Sequence, residues 1–166
     1  ILIMLILKRN YFLLHDKKKY RCSVGRNGVR RWKKEGDMCT PTGTFGLGPI
    51  YIRKDRVPRL KTKIQTFPIL KSMYWEDDPK SKNYNKLSFS NKYSRECLYR
   101  KDDIYDIIIV VKYNFHKVIP DKGSAIFIHV AKNKFAPTKG CIALKKEDLI
   151  QIINNLSKDE KILISF

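Results

Sequence analysis

Asp106 to Val111 (DIIIVV) restricts the fold of this chain more than any other stretch. A continuous β-branched run of that length reads as a strand buried on both faces. The rest of the chain fits a β-rich domain, because prolines and glycines fall between short apolar runs. Tyr20 to Val24 leads into Asn27-Gly28, a hairpin turn signal, since both residues tolerate positive φ. Thr40-Pro-Thr-Gly-Thr-Phe45 is turn chemistry followed by a strand start. Ala125 to Ile128 predicts a strand with His129 at its end, Cys141 to Leu144 another, and Lys161 to Phe166 a last one. One helix is expected over 145–158, where Leu149, Ile152, Ile153 and Leu156 recur at helical spacing and Glu147 and Asp148 suit the first turn. Lys71 to Arg100 is polar, aromatic and aperiodic, so it predicts a long loop or lid. A disordered insert is the alternative, against which Tyr74, Trp75, Tyr84, Phe89 and Tyr93 argue for packing. The expectation is one mainly β domain over residues 1–166, a sandwich or partly closed barrel with a helix near its end. A chain of this length can bury a core unaided.

Charge speaks to partners. Lys and Arg number 35 against 16 Asp and Glu, a formal net charge of +19. Such a field attracts polyanions: nucleic acid, anionic lipid or a carboxylate-rich wall polymer. The basic residues are dispersed from Lys8 to Lys161, and a solvated lysine surface is the plainer reading. Ile1 to Leu7 is too short for a transmembrane span, which needs about 20 residues. Lys8 and Arg9 follow the apolar run instead of preceding it, so no export signal is visible in the chain as given. A buried first strand is expected there, with the remnant of a truncated signal or anchor as the rival.

Four cysteines, at 22, 39, 97 and 141, form no Cys-x-x-Cys pair, which argues against structural zinc and against a disulfide framework. Cys141 stands in Pro137-Thr-Lys-Gly-Cys141. Glycine before a thiol lets backbone amides turn toward a substrate oxygen, and Lys139 offers a charge that would favour thiolate. His129, 12 positions upstream, is close enough for the intervening loop to fold back and pair the two side chains. A buried inert cysteine beside a core histidine remains the open alternative. His15, beside Asp16 and Lys17, reads as a turn residue, and His116 as a loop residue. Neither has companions at metal-ligand spacing, so no metal is expected.

Gly123-Ser-Ala-Ile-Phe-Ile-His-Val130 followed by Pro137-Thr-Lys-Gly-Cys-Ile-Ala-Leu144 resembles the signature of the L,D-transpeptidase (YkuD-like) catalytic domain family. Gly36-Asp37 with Thr40-Pro41-Thr42-Gly43-Thr44-Phe45 resembles that family's upstream element. Trp75-Glu-Asp-Asp-Pro79, Tyr84-Asn85, Tyr105-Asp106 and Tyr113-Asn114 resemble a proteobacterial branch with a short His-to-Cys loop. The resemblance implies Cys141 as nucleophile, His129 as general base and acid, and the Gly140 amide as an oxyanion donor. It implies substrate contacts at Thr138, Lys139, Trp75, Tyr84 and Val130, with a carbonyl near Val130 orienting the imidazole. Two departures stand out: Lys139 replaces a second histidine, and Ala143 replaces an arginine two residues after the cysteine. The implied partner is the peptidoglycan stem peptide, in the periplasm or cell envelope, with no cofactor and no nucleic acid. The implied reaction is transfer of an acyl group to an amine, or its hydrolysis in an L,D-carboxypeptidase. A basic nucleic-acid-binding module and a non-catalytic wall-binding module are the remoter alternatives. An activated Cys141 is expected to alkylate faster than Cys22, Cys39 or Cys97.

Overall fold

A computed structural model describes residues 4–165. Its strands in chain order are β1 (Met4–Lys8), β2 (Phe12–His15), β3 (Lys18–Ser23), β4 (Val29–Arg30), β5 (Thr40–Pro41), β6 (Gly43–Ile52) and β7 (Thr66–Pro68). They continue with β8 (Tyr74–Glu76), β9 (Leu87–Ser88), β10 (Arg95–Cys97), β11 (Ile107–Val111), β12 (Phe127–Val130), β13 (Ile142–Leu144) and β14 (Lys161–Ile164). One helix, α1 (Lys146–Asn155), precedes β14.

The main sheet runs β11-β12-β13-β3-β2-β1-β14-β6, and β6 pairs back onto β11 to close a barrel. Closure leaves β7 as an added strand beside β6. Of the two architectures expected, the barrel is the one formed. β6 makes it possible: its first half pairs with β14 and its second half with β11, so one long strand turns the corner.

β11 is buried at every residue, as its composition predicts, and it separates two cores. Ile107, Ile109 and Val111 point into the barrel with Ile128, Val130, Ile142 and Leu144, where Leu149, Ile152 and Ile153 of α1 join them. Ile108 and Val110 point the other way, with Phe127 and Cys141, under Met73, Trp75 and Leu98. Each fully buried aliphatic or aromatic side chain of this kind stabilises the fold by about 1.5–3 kcal/mol. The alternation along β11 to β13 therefore assigns even-numbered β11 residues and odd-numbered β12 and β13 residues to the outer face, which the 71–100 segment covers.

That segment is a small sheet, β10-β8-β9, and not a structureless loop. Strands of two or three residues show no periodicity, which is why sequence reading missed them. Asn27-Gly28 makes a turn, with Gly28 at φ +81°, but no hairpin. β3 already has β2 on one edge and β13 on the other, so β4 pairs with β5 instead. The tight hairpin is the one after His15. Asp16 and Lys17 carry φ of 50° and 66°, as a two-residue type I′ loop requires. His15 is thus a strand residue, 2% exposed, with its Nε2 2.6 Å from Glu160 Oε1. The helix ends three residues early, because Leu156 is extended and Ser157 turns back onto Glu160. β1 and β14 form as expected over their described parts; Ile1 to Ile3 and Phe166 lie outside the described residues.

Candidate active site

Cys141 sits immediately before β13, and His129 lies on the neighbouring parallel strand β12. The register pairs Ile128 with Ile142 and His129 with Ala143. Cys141, Ala143, Phe127 and His129 consequently share the outer face. Cys141 and His129 both line a cavity of 570 Å³ roofed in part by residues of the 71–100 segment, including Asp77, Glu96 and Arg100. Parallel pairing is what allows a 12-residue separation in sequence to become adjacency across one strand spacing.

The turn before Cys141 is built by pieces far apart in the chain. Gly140 has φ +144°, and a Cβ there would stand 2.8 Å from the Cys39 carbonyl oxygen, so only glycine fits. Thr40, fully buried, donates its hydroxyl to the Gly140 carbonyl at 2.8 Å and accepts from the Gly25 amide at 2.9 Å. This bond joins the Thr40-Pro41 element to the Gly140-Cys141 element. Thr138 closes the same turn: its hydroxyl donates to the Cys141 carbonyl at 2.6 Å and accepts from the Gly140 amide at 3.1 Å. The Gly140 N–H, expected to serve an oxyanion, is therefore already engaged, and Thr138 is a turn residue as well as part of the cavity wall.

His129 is 6% exposed. Its Nδ1 lies 2.8 Å from the Val130 carbonyl oxygen. A carbonyl only accepts, so Nδ1 carries the proton and Nε2 is left basic. Tyr105 packs edge-on against the imidazole, ring centres 5.3 Å apart, and against Phe127 at 6.0 Å. The Tyr105 hydroxyl donates to Glu96 at 3.1 Å. Burial pushes His129 down to about 4, with the Val130 bond opposing and Arg100 and Lys132 reinforcing the shift. Burial pushes the Cys141 thiol up to about 12, partly offset by the Phe127 amide. Burial thus favours the neutral form of both the thiol and the imidazole. The Cys141 Sγ–H donates to the Ala125 carbonyl at 3.2 Å, while the Phe127 amide points at sulfur from 3.4 Å. The cation that opposes the rise of the thiol is Lys33, buried at 5% exposure, and not the exposed Lys139.

The remaining candidates separate clearly. Trp75 is 3% exposed, packs edge-on at 5.2 Å against Phe127, and donates its indole N–H to Asn85 at 2.8 Å. It supports the site from beneath and does not line the cavity. Tyr84, 2% exposed, donates to Glu35 at 2.5 Å and accepts from the Gly123 amide at 2.9 Å. It acts through Glu35, which does line the cavity. Val130 sends its side chain into the barrel core and contributes only its carbonyl. Ala143 leaves no cation at its own position; of the basic side chains near it in sequence or on the covering segment, Arg100 and Lys139 line the cavity, whereas Arg95 is held over Tyr74 and by backbone carbonyls. Sequence reasoning missed Glu35, Lys33, Glu96 and Phe127. Glu35 adjoins Gly36-Asp37, and that adjacency was the available signal. His116 is exposed against Phe115.

The L,D-transpeptidase catalytic domain (YkuD) family matches residues 3–164, and the chain belongs to that family of enzymes. No curated protein matches the chain. Among solved structures it resembles an L,D-transpeptidase from Mycobacterium smegmatis, at 12% identity and a TM-score of 0.46, over 99% of this chain. The chain spans 58% of the length of that structure. Among the described residues, no helix is long and apolar enough to cross a membrane.

Proposed function

We propose that this chain is the catalytic domain of a peptidoglycan L,D-transpeptidase that works through a Cys141 acyl-enzyme. The observation that carries the reading is the shared outer face of β12 and β13, from which Cys141 and His129 both line one cavity. In the proposed reaction the thiol turns from the Ala125 carbonyl toward His129, which takes its proton as sulfur attacks. The scissile carbonyl lies between the diamino acid at position three of the stem and the terminal D-alanine. The imidazolium then returns the proton to the leaving amine. A preference for the neutral forms suits this order, since the proton moves only when the thiol attacks.

Oxyanion donors are worth about 3 kcal/mol each in acyl transfer. The Cys141 amide is one candidate, and the Gly140 amide becomes a second once Thr138 releases it. The thioester passes to an amine, giving a cross-link, or to water, giving a trimmed stem. Hydrolysis has one observation in its favour. Ala143, in register with His129 and lining the cavity, leaves no cation at a position where the family resemblance places one. The expected setting is the cell envelope, where a chain of this charge meets an anionic polymer. The test is incubation with a disaccharide-tetrapeptide and mass analysis. Loss of D-alanine that requires Cys141 supports the reading, and D-alanine release by Cys141→Ala at the parent rate refutes it. Dimers indicate transfer, and a tripeptide alone indicates hydrolysis.

A further inference from the structure

Glu35 is a half-buried carboxylate in a strongly basic chain, and it faces the cavity. Its position is fixed by two elements at once. The Tyr84 hydroxyl donates to Oε2 at 2.5 Å and the Ser124 hydroxyl to the same oxygen at 2.7 Å. The Glu35 amide also donates to the Asp121 carbonyl at 2.9 Å. Both hydroxyls belong to buried residues, Tyr84 at 2% and Ser124 at 8% exposure. Such a carboxylate cannot swing away from the cavity without breaking two short bonds.

Its second oxygen, Oε1, has no hydrogen-bond or ion-pair partner among the described residues. Of the other charged groups on the cavity wall, Arg26, Lys132 and Lys139 are in no ion pair among the described residues, and the rest are engaged. Lys33 sends its ammonium to Asp37 at 2.7 Å, and its stem fills the space left by the missing Cβ of Gly123. Glu96 receives the Tyr105 hydroxyl and lies 3.6 Å from Arg100. Asp77 accepts from Ser94 at 2.6 Å.

A neutral amide oxygen could accept the same two hydroxyl bonds, though more weakly, so tying these loops together does not require a charge. The charge and the free oxygen are left for something that enters the cavity. A rigid carboxylate with one open oxygen and no internal cation is chemically matched to an ammonium group.

We infer that Glu35 is a specificity residue that receives an ammonium group of the substrate through Oε1. The inference rests on the stem-peptide reading above, in which amines occur in two places: on the diamino acid of the acyl donor and on the acyl acceptor. Tyr84 and Ser124 are then positioning residues for Glu35, which is how Tyr84 influences substrate without touching the cavity.

Glu35→Gln preserves the shape and the acceptor for both hydroxyls while removing the charge, and a melting curve checks that the variant is folded. Release of D-alanine is measured from a disaccharide-tetrapeptide with a free side-chain amine and from its N-acetylated form. If the donor amine is the ligand, Glu35→Gln raises KM on the free-amine stem by roughly tenfold or more, the scale of a lost charge-assisted bond. The N-acetylated stem is then equally poor with both proteins. If the acceptor amine is the ligand, donor hydrolysis is unchanged. The KM for a free-amine tripeptide acceptor then rises by the same factor when the N-acetylated stem is the donor.

Equal losses on all substrates, or no loss on any, overturn the inference. The parent protein can also be tested without turnover, by titrating 1,5-diaminopentane against isotope-labelled protein and following amide shifts around Gly36 and Ser124. If neither stem reacts but these shifts occur and vanish in Glu35→Gln, the stem-peptide reading falls and ammonium recognition stands. If stems react and neither KM nor shifts depend on Glu35, the reverse holds.

Discussion

Replacing Asn85 should both destabilise the fold and disturb the setting of Cys141. Asn85 is 4% exposed and lies at φ +56°. Its Oδ1 accepts from the Trp75 indole at 2.8 Å and from the Ala125 amide at 3.0 Å. Its Nδ2 donates to the carbonyls of Asn114 at 2.7 Å and Tyr113 at 3.2 Å. Asn85→Ala strands two donors and two acceptors. The carbonyls lie on partly exposed residues that water can reach; the indole N–H and the Ala125 N–H are harder to rehydrate. Each stranded buried donor costs about 1–3 kcal/mol. Alanine in the left-handed region costs about 1 kcal/mol more, a penalty asparagine tolerates better. The expected loss is about 4 kcal/mol. A chain of this length has a total stability on the order of 8–25 kcal/mol, so the variant remains folded but is measurably weakened. Urea unfolding with an unchanged m-value is the assay. Asn85→Gly loses the same bonds without the strain and should recover about 1 kcal/mol relative to alanine. Ala125, at φ +51°, donates its amide to Asn85 and supplies the carbonyl that holds the Cys141 thiol, so D-alanine release in the proposed reaction should fall as well. A loss below 1 kcal/mol in Asn85→Ala, or a glycine variant no better than alanine, refutes the reasoning.

Other outcomes follow from the same structure. Removing His129 should lower D-alanine release by about 10²-fold or more, the scale of a positioned general base, read as kcat on the tetrapeptide. His129 also has a stability signature. Its folded-state value of about 4 lies below the ordinary 6.5, so the unfolded chain binds the proton first as pH falls. Stability is full above about 6.5 and is lost by about 3 kcal/mol on descending to about 4, and His129→Gln should flatten that part of the pH profile in urea titrations. Thiol labelling at neutral pH should strike Cys97 first, an order different from the one expected from sequence. Cys97 is exposed, whereas burial holds Cys141 and Cys22 near 12 and Cys39 is fully covered. Mass mapping of a brief iodoacetamide reaction checks it. Gly140→Ala should cost several kcal/mol, since its methyl would meet the Cys39 carbonyl at 2.8 Å in a strained backbone region, and thermal melting measures it.

The sequence by itself determined the β character, the buried strand at β11 and the helix face, and it singled out Cys141 and His129, which the fold brings to one cavity. These are local properties: β-branched runs, 3.6-residue periodicity, and a glycine placed where the chain must turn. The resemblance carried by Thr40-Pro41 and Gly140-Cys141 was also legible, but not why the two belong together. Only the fold reveals that the Thr40 hydroxyl grips the carbonyl of Gly140, a residue remote from it in sequence. The Asn27-Gly28 hairpin failed for a nonlocal reason: turn chemistry licenses a bend but does not supply a free edge, and both edges of β3 were taken. Cys141 looked activated because Lys139 is its neighbour in sequence. In space Lys139 is exposed on the cavity wall, and burial sets the thiol, a quantity no linear pattern reports. Trp75 and Tyr84 were legible as important but not as supports, since facing the cavity or backing it is decided by the packing of β8-β10 on the outer face of the barrel.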